Sequence, residues 1–543
     1  MALLTTGQVI AESLIAHGVD TVFGIPGAHM YDFNDALARR SDKIRFITTR
    51  HEQGAGYMAY GYAKSSGRVG AYTVVPGPGV LNSSAALCTA YGAITPVLCI
   101  TGNIMSHLIG RGRGQLHELP DQLALLRGLT KWSERINHPT EAPGVMAEAF
   151  RQLSCGRIRP VAVEAPWDVF GMKADVTMGT PLAVPTPPAP DPDSVQAAAK
   201  LIAAARRPLI SVGAGALHAG DEIRRLADLL QAPVTAHRSG KGVVSDDSPY
   251  GLSSVAAYDY WKDADLLIGI GSRLELQHFR WRWRPKDLRM VRLDIDPTEM
   301  VRLKPDVGIV ADSAAGTNAL IEALQPLVGK RGSREREFLE IKARARAAIQ
   351  SVQPQMSYID AIREALPRDG FFVEEISQMG FTARFGFPVY APRQYVTCGY
   401  QETLGFGFNT ALGVKVAHPD RAVVAVTGDG GFLFGAQELA TAVQHRINLV
   451  TVVFNNSSYG NVRRDQIQQY SGRLLGADLV NPDFVKLVES FGIKALRAAS
   501  PRDLTSQLRA AIDADAPAVI EVPLERGAEA SPWPFILPPP HGA

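Results

Sequence analysis

The chain has 543 residues, a formal net charge of +2, and 46% hydrophobic and 20% charged side chains, a balance ordinary for a globular protein of roughly three or four domains. Near-neutral charge without a basic stripe excludes the electrostatic footprint of nucleic-acid binding. The four cysteines, Cys88, Cys99, Cys155 and Cys398, lack CxxC or Cys/His spacing, which argues against a disulfide framework or zinc site and for a reducing, cytoplasmic home.

The opening "MALLTTGQVIAESLIAHG" reads as an amphipathic first helix without the basic start and long apolar core of a signal peptide. A strand-to-helix turn, "FGIPGAHMYDF", follows, and then "TRHEQGAGYMAYGYAK", which sets Glu52 at the start of a helix rich in small residues. Between Arg68 and His107 only tyrosine and cysteine are ionisable, yet "PGPG", "NSS" and "ITP" cut the run into strand, loop, helix and strand, so no membrane span is expected. Uncharged elements of this kind suit a parallel sheet buried on both faces. The runs "VGAYTVV", "TPVLCIT" and "RPVAVEAP" alternate with helical patterns, which predicts a βαβ domain over residues 1–182. The proline-rich "TPLAVPTPPAPDPD" then reads as an extended linker.

A second block, 193–345, repeats the pattern with "RPLISVGAG", "APVTAHR", "ADLLIGIGSRL" and "LRMVRLDIDP", and closes on the charged helix "KRGSREREFLEIKARARAAIQ". A third, 353–530, does so with "DGFFVEE", "RAVVAVTGDGG", "INLVTVVFNN" and "APAVIEVP". Residues 531–543 form a proline-rich tail, either laid over another domain or disordered. The expected fold class is α/β, with three successive Rossmann-like, doubly wound parallel-sheet domains.

Two apolar runs of the third block stop abruptly, at Gly428-Asp429-Gly430-Gly431 and at Asn455-Asn456. Glycines between a strand and a helix allow an anion close to backbone N–H groups, but Asp429 would repel a phosphate unless a divalent cation lay between them. Mg²⁺ suits oxygen ligands, and the Asn456 side chain and a carbonyl of "SSYG" supply neutral ones. The two loops therefore read as halves of one metal-diphosphate clamp.

On these motifs the chain resembles the thiamine diphosphate enzymes of the acetolactate synthase, benzaldehyde lyase and 2-oxoacid decarboxylase group, over nearly its whole length. The resemblance implies pyrimidine-binding, middle and diphosphate-binding domains, with thiamine diphosphate and Mg²⁺ as cofactors. It gives the metal Asp429, the Asn456 side chain and the Ser458 carbonyl, and gives the cofactor Pro26, Gly428, Gly430, Gly431, Tyr459 and Gly460. Glu52 becomes the carboxylate that holds and returns a proton at the pyrimidine. In "CGYQETLGFGFNTALG" the backbone at Glu402 and Leu404 faces the pyrimidine, and the Leu404 side chain is the wedge between the rings. The cofactor would lie between two subunits, so a homodimer is the minimum and a homotetramer is expected. The middle block's Gly213–Gly215 and Asp294–Pro297 resemble the domain that holds FAD in acetolactate synthase, although many members keep this domain empty, and FAD is not expected as a cofactor here.

The substrate side departs from these relatives. His29 and Gln115 match pocket residues of benzaldehyde lyase and read as proton-transfer or hydrogen-bonding groups, with His117 in the adjoining "QLHELPDQ". In "YGNVRRDQIQQY" Asp465 stands where acetolactate synthases place a tryptophan, and Asn461 where they place an apolar residue, so a more polar pocket follows. The expected reaction is decarboxylation of a 2-oxoacid through an enamine, giving an aldehyde or a 2-hydroxyketone (acyloin). The alternatives are acyloin cleavage as in benzaldehyde lyase, acetolactate synthesis, decarboxylation of a guanidino-2-oxoacid, and a cofactor-binding relative without chemistry.

Overall fold

The computed structural model describes residues 1–541. Three six-stranded, all-parallel sheets follow one another along the chain. The first runs Arg45–Thr48, Thr21–Gly24, Gly70–Val74, Val97–Asn103, Val161–Pro166, Trp132–Arg135. The middle sheet runs Gly251–Leu252, Val234–Ala236, Pro208–Val212, Leu266–Ile270, Arg289–Asp294, Val307–Val310. The third runs Tyr395–Val396, Phe371–Glu374, Val423–Gly428, Val450–Asn455, Ala518–Pro523, Lys494–Arg497. Strands such as Val97–Asn103 are buried at every residue, as the uncharged sequence there required of a sheet covered on both faces.

The N-terminus differs from the expected opening helix. Ala2–Thr5 is a strand, antiparallel to Lys173–Val176, so the two ends of the first domain are stitched together. The helix Thr6–Ala16 starts only at Thr5, whose side chain accepts from the Gln8 N–H while the Gln8 side chain accepts from the Thr5 N–H. This capping box fixes the boundary and leaves the apolar Ala-Leu-Leu to pair as a strand. The proline-rich tail is ordered through His541: a short helix Trp533–Ile536 is followed by a run in which Tyr258 Oη donates to the Pro539 carbonyl and His541 stacks on Tyr258. It therefore lies on the middle domain.

The middle domain has its own apolar core, whereas the first and third domains share one that runs from Phe23 and Tyr72 to Phe371 and Val519. The seam is a close crossing of the helices Glu52–Ser66 and Gly407–Ala417. A Cβ at Gly61 would come within 2.0 Å of the Thr410 carbonyl oxygen, and one at Gly413 within 1.9 Å of the Met58 carbonyl oxygen. Backbone cannot give way as a flexible side chain can, so glycine is required at both. Gly413→Val is expected to destabilise the chain by at least ~1–3 kcal/mol, the usual cost of overpacking a core. Gly144→Ala, in the helix Ala142–Ser154 with open space beside it, should be neutral or slightly stabilising. Thermal melting of the two variants checks this; equal midpoints would show that the crossing does not limit stability.

Candidate functional site

In the third sheet the chain passes from Phe371–Glu374 to the edge strand Tyr395–Val396, then returns to the other side of Phe371–Glu374 at Val423–Gly428. Such a switch opens a crevice at the carboxyl ends of the strands, and ligands bind there. Asp429 begins just past Val423–Gly428, and Asn456 just past its parallel neighbour Val450–Asn455.

The two asparagines divide their work. Asn455 stays with the sheet, its Nδ2 donating to Glu521 Oε1 at 2.8 Å and its Oδ1 accepting from Asn481 Nδ2 at 3.0 Å. Asn456 turns into the crevice, where its Oδ1 accepts from the N–H and Oγ of Ser458, each at 3.0 Å. Asp429 is 2% exposed and its Oδ2 accepts from Asn481 Nδ2 at 2.6 Å. Burial pushes the Asp429 carboxyl upward, against the pull of Asn481 and of the Gly430 and Ser458 N–H groups. No Lys, Arg or His pairs with it among the described residues. A carboxylate, an amide oxygen and the Ser458 backbone thus converge in one buried place with no basic side chain to neutralise them. That donor set fits a hard divalent cation that also takes phosphate oxygens. No group of three or more His, Cys, Asp or Glu forms a metal cage among the described residues, so a metal here would rely on mixed oxygen ligands.

Two details of the expected clamp change. The helix after the glycines is a single turn, Asp429–Phe432, broken at Gly435, where a Cβ would meet the Asn409 side chain at 2.5 Å; helical structure resumes at Ala436 and continues to His445. Glycine is also required at 430 and 431 by the protein itself, because a Cβ would lie 2.5 Å from the Tyr459 ring and 2.7 Å from Glu375 Oε1 respectively. Gly460 packs against Asn456 and Gln378.

Glu375 was not singled out from sequence, although a double glutamate ending the apolar run "DGFFVEE" is its signal. Fully buried, it accepts from the Gly405 and Phe406 N–H groups and from Thr427 Oγ1 at 2.6 Å. It therefore ties the loop of Leu404 to the strand that delivers Asp429. Asn481, in the irregular "LVNPD", carries no signal readable in advance.

Glu402 has positive φ, and its carboxylate turns away from the crevice into Arg238, Arg280 and Arg384, leaving its backbone free. Leu404 is half-buried and belongs to no core cluster, unlike an ordinary core leucine. Asn461 Oδ1 accepts from Trp533 Nε1 at 2.6 Å, and Asp465, one turn further along the helix Gly460–Gln469, is half-buried without a hydrogen bond or ion pair among the described residues.

The first-domain residues gather elsewhere. Glu52 opens the helix Glu52–Ser66 behind a His51 cap, and its Oε2 accepts from Asn82 Nδ2 at 3.0 Å. His29, 2% exposed and with φ of 70°, lies 5.1 Å from His117 and 4.7 Å from Trp167 between ring centroids. Burial, then the neighbouring His117, pull the His29 imidazole downward. Pro26 is exposed, and Gln115 sits on an exposed turn whose N–H donates to Glu118 at 2.9 Å. No hydrogen bond, ion pair or ring contact joins Glu52, His29, Gln115 or His117 to the Asp429 cluster within one chain among the described residues. A cavity of about 520 Å³ lies apart from both groups, where the first, middle and third domains meet, beside Lys64, Gly213, Gly215, Ser272, Asp294 and Tyr400. Gly213 and Gly215 are explained by packing, since a Cβ on either would be 2.4 and 2.9 Å from Gly271. They carry no separate sign of a flavin.

Burial raises the Glu375 carboxyl from its usual 4.5 to about 7, with Thr427 and the Gly405 to Gly407 N–H groups opposing. The folded protein thus keeps a proton that an unfolded glutamic acid loses above 4.5. Its stabilising contribution, roughly 3 kcal/mol, is complete below 4.5 and is lost as pH rises to about 7. Glu375→Gln should flatten the fall in urea-unfolding stability of the apoprotein across that interval; an unchanged slope would assign it to other groups. Removing the Asp429 partner with Asn481→Leu should raise the Mg²⁺ concentration needed for cofactor binding about 10- to 100-fold, measured by calorimetry.

Residues 4–125 match the thiamine pyrophosphate enzyme N-terminal TPP binding domain, 195–321 the central domain and 375–522 the C-terminal TPP binding domain. A probable 2-ketoarginine decarboxylase of Pseudomonas aeruginosa is 34% identical, covering 96% of this chain and 94% of that protein. A probable acetolactate synthase large subunit of Methanocaldococcus jannaschii is 33% identical, covering 98% and 93%. The acetolactate synthase isozyme 1 large subunit of Escherichia coli is 29% identical, covering 98% and 96%.

Proposed function

This chain belongs to the thiamine pyrophosphate enzyme family, and we propose that within it the protein decarboxylates a 2-oxoacid whose side chain ends in a cation of guanidinium type. The observation that carries the substrate reading is Asp465, a half-buried carboxylate without a partner among the described residues, one helical turn from the polar Asn461. An apolar donor would leave such a group desolvated and unpaired, whereas a guanidinium matches it with a charged hydrogen bond. The similarity to a probable 2-ketoarginine decarboxylase supports the same choice.

When bound, thiamine diphosphate supplies a nucleophilic carbon and accepts the electron pair released as CO₂ leaves. The chain does the rest. Asp429, the Asn456 side chain and the Ser458 carbonyl would hold the Mg²⁺ that accompanies the diphosphate, Leu404 would pack between the cofactor rings, and Glu52 would hold and return a proton at the pyrimidine. His29, favoured in its neutral form by burial, and Gln115 would hydrogen-bond the substrate oxygen.

Glu52 and the Asp429 cluster do not meet within one chain, and a second copy would bring them together. Exposed apolar side chains support such an interface: Leu81 and Leu116 on the first domain, Phe434, Leu475 and Val480 on the third. A homodimer is the smallest assembly that completes the site, and a tetramer doubles it.

A second reading, cleavage of a 2-hydroxyketone without CO₂ release, draws on His29 in a turn resembling that of benzaldehyde lyase. One assay separates the two: with thiamine diphosphate and Mg²⁺, CO₂ should be released from 2-oxo-5-guanidinopentanoate in preference to pyruvate, and benzoin should remain intact. Glu52→Gln should abolish turnover. Asp465→Asn should cut kcat/KM for the guanidino acid about 10- to 100-fold, the worth of one charged hydrogen bond, and spare pyruvate. Equal loss on both acids would remove Asp465 from substrate recognition, and acyloin cleavage without CO₂ would select the second reading.

A further inference from the structure

Beyond its last strand the chain doubles back over the crevice. The Leu524 N–H donates to the Asn455 carbonyl at 2.8 Å, the Ala530 N–H donates to the Gln353 carbonyl at 2.9 Å, and Gln355 Nε2 donates to the Ala530 carbonyl at 2.6 Å. Further on, Trp533 is bonded to Asn461, and the Pro539 carbonyl to Tyr258. A segment pinned at so many points holds its side chains in fixed places. One of them is Glu529, whose Oε2 accepts from Asn456 Nδ2. Burial raises the Glu529 carboxyl; Asn456 and then Arg464 oppose this, and the nearby charge of Asp429 adds to it. Arg464 gives its own hydrogen bond to Gln378 Oε1 at 2.7 Å and forms no ion pair with Glu529.

A side-chain amide has two chemically opposite ends of nearly the same shape. Only the oxygen can ligate a cation, and a half-turn of the terminal torsion would present the NH₂ instead. The Ser458 N–H, which can only donate, favours the oxygen at its end, while the Ser458 hydroxyl can accept as well as donate. Glu529 holds the other end, since its Oε2 accepts from the amide nitrogen that faces it. We infer that Glu529 is a positioning residue of the metal centre: it holds the Asn456 amide from its nitrogen end, as the Ser458 N–H does from the oxygen end, so that Oδ1 is the end presented to the cation. The inference rests on Asn456 being a metal ligand. It also explains why a segment after the last strand is laid across the site.

The test is the binding of Mn²⁺, followed by the electron paramagnetic resonance of the free ion, to the full-length protein with thiamine diphosphate present. Glu529→Leu should weaken Mn²⁺ binding about 10- to 100-fold, as loss of an outer-sphere partner does, without a change in melting temperature of the apoprotein. Glu529→Gln keeps an acceptor oxygen and should restore binding to within about threefold of the parent, since most of that outer-sphere effect is then retained. Asp429→Asn serves as the reference, because it removes a ligand directly. If Glu529→Leu binds Mn²⁺ like the parent while Asp429→Asn does not, Glu529 has no positioning role and the metal site stands. If Glu529→Gln is as weak as Glu529→Leu, charge and not orientation is what Glu529 supplies, and the inference is again overturned. If neither Glu529→Leu nor Asp429→Asn changes binding, the metal site itself is wrongly located.

Discussion

Asp429 is 2% exposed at the end of a central strand, and removing an ionised carboxylate from water costs several kcal/mol unless something compensates. Within the chain the compensation is only partial: one amide, Asn481, and backbone N–H groups. The surroundings continue the imbalance, since Asn456 and Ser458 bring neutral oxygens and Glu529 brings a second carboxylate close by. A divalent cation would resolve it, and phosphate oxygens could then approach a place that would otherwise repel them. The glycines pressed by Tyr459 and Glu375 follow directly on that carboxylate, and the segment after the last strand reaches its neighbour Asn456 through Glu529.

The same packing that builds one half of the site separates it from the other. First and third domains share a core through a helix crossing so close that glycine is required on both sides of it. The crossing sets Glu52 beside Asn82 and leaves it without any contact to the Asp429 cluster of its own chain among the described residues. Apolar side chains remain exposed on both domains, Leu475 at 84% and Val480 at 101% among them. A second copy of the chain, as proposed above, would bring Glu52 and the Asp429 cluster together and cover both exposed apolar surfaces.

Much of this was legible in the sequence for definite reasons. Uncharged runs bounded by glycine and proline announced buried parallel strands, and "GDGG" with "NN" raised the expectation of a clamp because a carboxylate beside phosphate-binding glycines calls for a cation. The separate duties of Asn455 and Asn456 were not legible, since they depend on which side of the strand end each faces. Glu375, Asn481 and Glu529 act through contacts 30 to 73 residues away in sequence, which no local pattern encodes. Asp465 was legible only as a departure from relatives, and its lack of a partner became visible only once the helix was placed. The N-terminal strand escaped notice because its partner, Lys173–Val176, lies at the other end of the domain.

The central claim, that each site is built from two chains, is tested most directly by mixing two inactive variants, Glu52→Gln and Asp429→Asn, under conditions where subunits exchange. In a twofold dimer the hybrid carries one site with both lesions and one with neither. Random mixing should then restore about one quarter of parental activity. A mixture that stays inactive although hybrids form would contradict the account, because it would mean that Glu52 and Asp429 serve the same site within one chain.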